Sequence, residues 1–300
     1  MIFFLQFVLN KMSKKPLDRL VLGTAQFNNK AYGIGNNSKL REDLIFKILN
    51  YAWDNGIKNF DTAEGYNCNK VLKKFIERKK IHKKIRIISK ISKLKKKNFE
   101  QQIKDFLNTL YSELPIKKLV CLLFHEQKDL KILIKNKKNF LKILKEYNVE
   151  SFGLSVYNKK FANLFLKNFK RGSLQFPFNI LNTNFSDLKK KNSIFYARSI
   201  FLQGLLTEKK IFTKNRHLLK KHKEYFQYLK INKIDPVNLC LYFVLNNINN
   251  DFVIFGVKNL SQLKTIFNSA NAFQASIKQD IHLNKIRKFF IKKQLDPRNW

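Results

Sequence analysis

Short apolar runs recur along the chain at fairly regular intervals. Longer stretches separate them, in which apolar residues return every three or four positions. The runs are Leu20–Gly23, Lys58–Asp61, Ile85–Ser89, Leu119–Phe124, Ser151–Leu154, Ser173–Phe176, Ile194–Ala197 and Phe252–Phe255. They are too short for helices, and they read as strands buried on both faces of a parallel sheet. Between them, Leu40–Trp53 sets Leu44, Ile45, Ile48, Leu49 and Ala52 on one helical stripe, with Gly56 as a stop. Lys70–Arg78 spaces Val71, Leu72, Phe75 and Ile76 in the same way. Phe99–Tyr111, Phe140–Tyr147, Phe161–Phe169, Pro236–Leu245 and a helix opening at Ser261 continue the series. Strands alternating with amphipathic helices predict βαβ units, and eight such units predict an α/β fold, a (β/α)8 barrel. An open doubly wound sheet is the competing architecture, but no Gly-x-Gly-x-x-Gly follows the first strand. Arg216–Lys230 reads as an extra helix after strand seven, and Gln279–Lys293 as a C-terminal helix. No Pro/Gly/Ser-rich linker divides residues 16–300, which read as one barrel domain. Residues 1–15 read as an extension, with Met12 resembling a natural start and Met1 to Lys11 a mis-called addition.

Composition changes this picture less than it first promises. The formal charge of +39 suggests a nucleic-acid partner, yet only nine of the 60 basic residues are arginine. Lys, Asn, Ile and Phe are abundant together, as a coding sequence biased towards A and T produces, and the lysines are spread over most of the chain. No helix-turn-helix signature, zinc-finger spacing or RNP-like run accompanies the charge. A specific nucleic-acid partner is therefore not expected, although salt-sensitive attraction to polyanions follows from the charge alone. Cys68, Cys121 and Cys240 are odd in number, far apart and without a CxxC. That argues against a disulfide framework or metal site and fits a reducing cytoplasm. The apolar N-terminus Met1–Leu9 is too short to span a bilayer, and it lacks the preceding basic residue and small-residue cleavage site of a signal peptide. A soluble protein without a membrane partner is expected. The oligomeric state is not written in the pattern.

The candidate chemistry lies at strand ends. Asp61 closes the second strand, and Tyr66 follows five positions later across a turn containing Gly65. Lys90 follows the third strand and His125 the fourth. In a barrel the active site lies at the C-terminal ends of the strands, where these residues would meet. A tyrosine is a poor acid, with a reference pKa of about 10. A neighbouring ammonium is expected to lower that value, and a carboxylate to hold the ammonium charged. Such a tyrosine can give a proton to a carbonyl oxygen, and a histidine beside that oxygen can orient it and stabilise developing charge. Each residue alone has an ordinary reading: a cap, a packing tyrosine, one lysine among many, a structural histidine. Their joint placement at the ends of strands two, three and four points to proton transfer.

At these residues the chain resembles the aldo-keto reductase family, from about Leu20 to Leu263. The resemblance rests on Leu22-Gly23-Thr24-Ala25-Gln26-Phe27 and Phe60-Asp61-Thr62-Ala63-Glu64-Gly65-Tyr66. It rests also on Ser89-Lys90, Leu123-Phe124-His125, Gly153-Leu154-Ser155 and Gln175-Phe176-Pro177-Phe178-Asn179. Arg198-Ser199-Ile200-Phe201-Leu202-Gln203-Gly204-Leu205-Leu206 is similar to the bacterial branch. The resemblance implies NADPH-dependent reduction of an aldehyde or ketone, with the cofactor extended at the barrel mouth. It makes Tyr66 the proton donor, Lys90 and Asp61 its modulators, and His125 the group that positions the carbonyl. It assigns Ser155 and Gln175 to the nicotinamide carboxamide, and Gly23 and Thr24 to the nicotinamide end. Gly256, Lys258, Ser261 and Gln262 would hold the adenosine phosphate, and Arg198 stands where a tyrosine commonly stacks on nicotinamide.

The chain departs from the family pattern at Asn67-Cys68-Asn69-Lys70, where Gly-x-Ser-Glu is usual, at Val156, a common Asn, and at Thr265-Ile266, a common Glu-Asn. Three function classes stay open. The first is a carbonyl reductase, with a sugar-derived carbonyl among its candidate substrates, or the same enzyme running in the oxidative direction on a sugar alcohol or lactol. The second is a cofactor-binding regulatory protein of the same fold with little turnover. The third is a polyanion-binding protein.

Overall fold

A computed structural model describes residues 15–28, 39–189, 192–247, 251–273 and 280–290. Eight parallel strands close into a barrel in sequence order. They are β1 (Leu20–Gly23), β2 (Asn59–Asp61), β3 (Arg86–Ile91), β4 (Cys121–Phe124), β5 (Phe152–Ser155), β6 (Arg171–Pro177), β7 (Asn192–Arg198) and β8 (Phe252–Phe255). Helices follow most strands: α1 (Glu42–Asp54), α2 (Asn69–Lys79), α3 (Phe99–Glu113), α4 (Leu130–Lys135), α5 (Lys137–Glu146) and α6 (Lys159–Asn168). After β7 come α7 (Arg216–Ile231) and α8 (Pro236–Asn246), and after β8 come α9 (Leu260–Asn271) and α10 (Asp280–Arg287).

The apolar pattern explains the layering. On β1, Val21 points into the barrel with Ile88, Cys121, Leu123 and Ile254, above a floor where Tyr196 stacks on Phe252 at 5.2 Å. The alternate residues Leu20 and Leu22 face outward into the larger core beneath the helices. There the stripe expected of α1 is buried through Ile45, Ile48, Leu49 and Ala52, and Trp53 packs with Phe60 and Phe75. Side-chain caps start four helices: Asn158 for α6, Asn215 for α7, Asp235 for α8 and Asn259 for α9. At Asp235 the following Pro236 adds a fixed φ at the first helical position.

Several sequence expectations are corrected in detail. The link from β6 to β7 carries no helix among its described residues 178–189, so the βα alternation is incomplete there. A short α4 precedes α5, where one helix was expected to begin at Phe140. The C-terminal helix expected over Gln279–Lys293 runs Asp280–Arg287 and gives way to a turn over Lys288–Phe290. The expected extension over residues 1–15 lies, apart from Lys15, outside the described residues, as do Gln279 and residues 291–293.

α7 and α10 do not simply coat the barrel. With Ile180 and the segment after β7 they form a second core of Leu202, Leu205, Leu206, Leu218, Tyr225, Leu229, Leu283 and Ile286. Tyr225 Oη donates to the Leu206 carbonyl at 3.0 Å, and Arg287 Nε donates to the Ile180 carbonyl at 2.8 Å. The loop after β7 is thereby held from behind while its other side faces the barrel mouth.

Candidate active site

Strand register sets the first contacts. Gly23 pairs with Asp61 and Asp61 with Ile88, so β1 and β2 end at one level while β3 continues three residues past its partner, to Ile91. Lys90 is the penultimate residue of β3 rather than the residue after it, because the strand runs on to Ile91. That position turns its side chain into the barrel, where it is 2% exposed. Its Nζ donates to Asp61 Oδ2 at 2.5 Å and to the Thr62 carbonyl at 3.0 Å. Gln175, from the opposite wall on β6, donates through Nε2 to Asp61 Oδ1 at 2.8 Å. Both carboxylate oxygens are thus occupied, as a buried charge requires.

Tyr66 stands above this group on a single 3-10 turn, Glu64–Tyr66. The turn exits through Asn67 in the left-handed region (φ 52°), which asparagine tolerates. The departure from the family loop has its own anchor. The buried Cys68 Sγ lies 3.3 Å from the Thr24 carbonyl and 3.1 Å from the Tyr66 carbonyl. Burial pushes its thiol up to about 11, so it stays protonated and able to donate. The Lys90 ammonium lies 5.1 Å from the centre of the Tyr66 ring, over its face.

The expected lowering of the Tyr66 pKa is not found. Burial of the phenol, and after it the Asp61 carboxylate, raise the pKa well above the usual tyrosine value, with Arg198 pulling the other way. The physical reason is first the loss of water around the buried phenol, and second that the Lys90 ammonium arrives with its counter-charge, Asp61. Tyr66 is therefore a phenol at neutral pH. His125 follows β4 directly, its N–H bonded to the Ile91 carbonyl at 3.0 Å. Burial of the ring, then Lys90 and Arg198, lower its pKa, so the imidazole is neutral at pH 7.

A cavity of about 340 Å³ opens beside these groups. Gly23, Asp61, Tyr66, Gln175, Arg198, Gly256, Ser261 and Gln262 line it; Thr24, Lys90, His125, Ser155 and Lys258 do not. Thr24 is fully buried and ties β1 to β2 through its N–H and hydroxyl, both donated to the Asp61 carbonyl. Ser155 is buried under Arg198, with 3.5 Å between Oγ and Nη2. Lys258 supports the wall: its N–H donates to Gln262 Oε1 at 2.8 Å and its Nζ to Glu208 Oε1 at 3.2 Å.

Among the lining residues that sequence reasoning left without a role are Gln26, Glu208, Lys209 and Asp235. Gln26 lay inside a matching motif but without a distinguishing neighbour. Glu208 lies ten residues after β7, and nothing in the pattern links it to Lys258.

The cavity fits a nicotinamide dinucleotide in three respects. Gln175 must turn its amide N–H towards Asp61, which leaves Oε1 buried with no partner among the described residues, and a carboxamide N–H would satisfy it. Gln26 Oε1 is likewise unpartnered, and it lies so close to Gly256 that a Cβ there would stand 2.5 Å from it. The N-terminus of α9, through Ser261 and Gln262, presents the positive end of a helix dipole to the same space.

A closed parallel barrel with a buried Asp–Lys–Gln group beneath a phenol at its C-terminal mouth is the architecture of a TIM-barrel oxidoreductase. Residues 19–288 match the family model described as Aldo/keto reductase family. The chain belongs to the aldo/keto reductase family, whose members use a nicotinamide cofactor in carbonyl reduction. No curated protein sequence matches it significantly. Among solved structures it is similar to the holo form of aldo-keto reductase AKR11C1 from Bacillus halodurans, with TM-score 0.72 and 16% identity over 92% of this chain and 94% of that one. It is also similar to the glycerol dehydrogenase AKR11B4 from Gluconobacter oxydans, with TM-score 0.68 and 15% identity over 89% of this chain and 90% of that one. At that identity the likeness is one of fold.

Proposed function

We propose that this protein is an NADPH-dependent carbonyl reductase of the cytoplasm, in which Tyr66 gives the proton that completes reduction of an aldehyde or ketone. The observation that carries the reading is the Asp61 carboxylate gripped by Lys90 and Gln175 directly beneath the Tyr66 turn. When bound, the nicotinamide supplies hydride to the carbonyl carbon. The remaining chemistry belongs to the chain. Gln175 and, behind it, Ser155 would hold the carboxamide when the cofactor is bound. The neutral His125 donates a hydrogen bond to the carbonyl oxygen and aligns it with Tyr66. Tyr66 passes its proton to that oxygen as negative charge develops there. The phenolate left behind is stabilised by Lys90, whose own charge is held by Asp61. Lys258, Ser261 and Gln262, beside Gly256, receive the phosphate end of the cofactor, and Gly23 and Thr24 set the β1 loop against its nicotinamide end. The three thiols are free and buried, which suits the proposed cytoplasmic setting, and no helix among the described residues is long and apolar enough to cross a membrane.

The test is consumption of NADPH by the purified protein with a panel of aldehydes, repeated with Tyr66→Phe. Turnover is expected to fall by about 10²–10⁴-fold in the variant, the usual contribution of a positioned acid. Undiminished turnover would remove Tyr66 from the role. Cofactor binding with no turnover of any aldehyde would replace the reductase with a regulatory, cofactor-sensing protein. The oxidative direction uses the same groups in reverse, and the glycerol dehydrogenase among the similar folds makes polyols the natural substrates for that assay.

A further inference from the structure

The cations around the mouth are not equivalent. Lys90 is neutralised by Asp61 at 2.5 Å, Lys258 is paired with Glu208 at 3.2 Å, and Lys209, at the rim, is exposed to water that solvates its charge. Arg198, half-buried in the cavity wall, has no carboxylate at ion-pair distance among the described residues. Its polar contacts are two hydroxyls at the limit of hydrogen bonding, Ser155 and Ser199, both at 3.5 Å. One face of the guanidinium is covered by Tyr157, whose ring centre lies 4.3 Å from Cζ. Such stacking orients a guanidinium without consuming its N–H donors, which lie in its plane. The charge reaches the reacting groups, since Arg198 acts on both Tyr66 and His125.

A partly desolvated guanidinium without a counter-ion is unfavourable in the empty cavity and becomes favourable when a ligand supplies the anion. We infer that Arg198 recognises an anionic group on the substrate, and that the natural substrates are small carbonyl compounds carrying a carboxylate or a phosphate. This rests on the carbonyl-reductase reading and names the substrate class of that site. Arg198 then acts as a specificity-determining residue: the planar fork takes two oxygens of the anion, and Tyr157 keeps the fork aimed. The carbonyl of the same molecule is left for Tyr66 and His125.

The test compares matched pairs differing in charge: butanal against succinic semialdehyde, and glyceraldehyde against glyceraldehyde 3-phosphate. The charged member of at least one pair is expected to show kcat/KM about tenfold or more above its neutral partner, as a charge-assisted, bidentate contact provides. The pair that responds tells a carboxylate from a phosphate site. Arg198→Met should bring the ratio towards one, mainly through KM, and Arg198→Lys should keep an intermediate ratio. Because the whole molecule is strongly basic, Lys142→Met serves as the charge-matched control on an exposed helix face, and the ratio there should not move.

Equal kcat/KM within both pairs, or a ratio unaffected by Arg198→Met, overturns the inference while leaving the reductase intact. Absence of turnover with every aldehyde overturns the reductase instead. Calorimetric binding of 4-hydroxybutanoate against 1,4-butanediol to wild type and Arg198→Met then still decides the anion site. Preference for the anion that vanishes in the variant supports it, and indifference sinks it.

Discussion

At the scale of single residues, the proposed roles of Tyr66 and His125 predict the pH behaviour. The native imidazole of His125 titrates below its ordinary value of 6.5, for which burial is the first cause. In the unfolded chain it binds its proton more readily, so its contribution to stability is complete above about 6.5 and is lost as pH falls through the lowered native value. The same ionisation should govern turnover. In the reducing direction, kcat/KM should rise as His125 loses its proton, then stay level past pH 8, because Tyr66 remains a phenol far into alkali. His125→Gln should remove the acid limb of the profile, and an acid limb that persists would assign it elsewhere.

Glu208 gives a second residue-scale prediction. Its carboxylate lies over Gly204 and holds Lys258, so a cofactor phosphate received by Lys258, as proposed, would displace it or share the lysine with it. Glu208→Gln should tighten NADPH binding several-fold, measured by fluorescence titration, since a charge-assisted competitor is replaced by a neutral amide. Weaker binding in the variant would mean that the carboxylate itself contacts the cofactor.

At the scale of elements, the loop after β7 depends on a helix that contributes nothing to the cavity directly. Phe201, Gln203 and Gly204 line the mouth, while Leu202, Leu205 and Leu206 on the reverse side are buried against α7 and α10. Tyr225 is fully buried in that second core, its hydroxyl on the Leu206 carbonyl. Tyr225→Ala should cost about 3–5 kcal/mol in urea denaturation, the range for emptying a large aromatic site. It should also weaken cofactor binding, because the loop loses its backing. Loss of stability with unchanged binding would make α7 structural support alone. The extra helix was visible in the sequence as an amphipathic stretch, but its service to this loop was not. That service depends on Ile180, Leu206 and Leu283 meeting from three distant segments.

At the scale of the molecule, the charge of +39 is carried mostly by lysines spread along the chain rather than gathered in an arginine-rich segment. Binding to DNA or RNA at low ionic strength is expected and should disappear by roughly 0.2 M salt, measured by filter retention, as counterion release dictates. Retention with sequence preference above that salt would reopen a nucleic-acid role. The lysines do not set the fold, which follows from the apolar periodicity beneath them.

That periodicity is what the sequence by itself determined. Eight short apolar runs separated by amphipathic stretches are consistent with few architectures, and Asp61, Lys90 and His125 were legible because strand ends are where a barrel gathers its chemistry. Local pattern decides which residues are buried, because burial repeats with the period of each element. What local pattern cannot decide is who meets whom across the barrel. The grip of Gln175 on Asp61 spans 114 positions, and the Glu208–Lys258 pair and the stacking of Tyr157 on Arg198 join different strand ends. The state of Tyr66 followed the same rule. An ammonium nearby argued for a lowered pKa, but burial and the accompanying carboxylate raised it, and both exist only once the strands have closed.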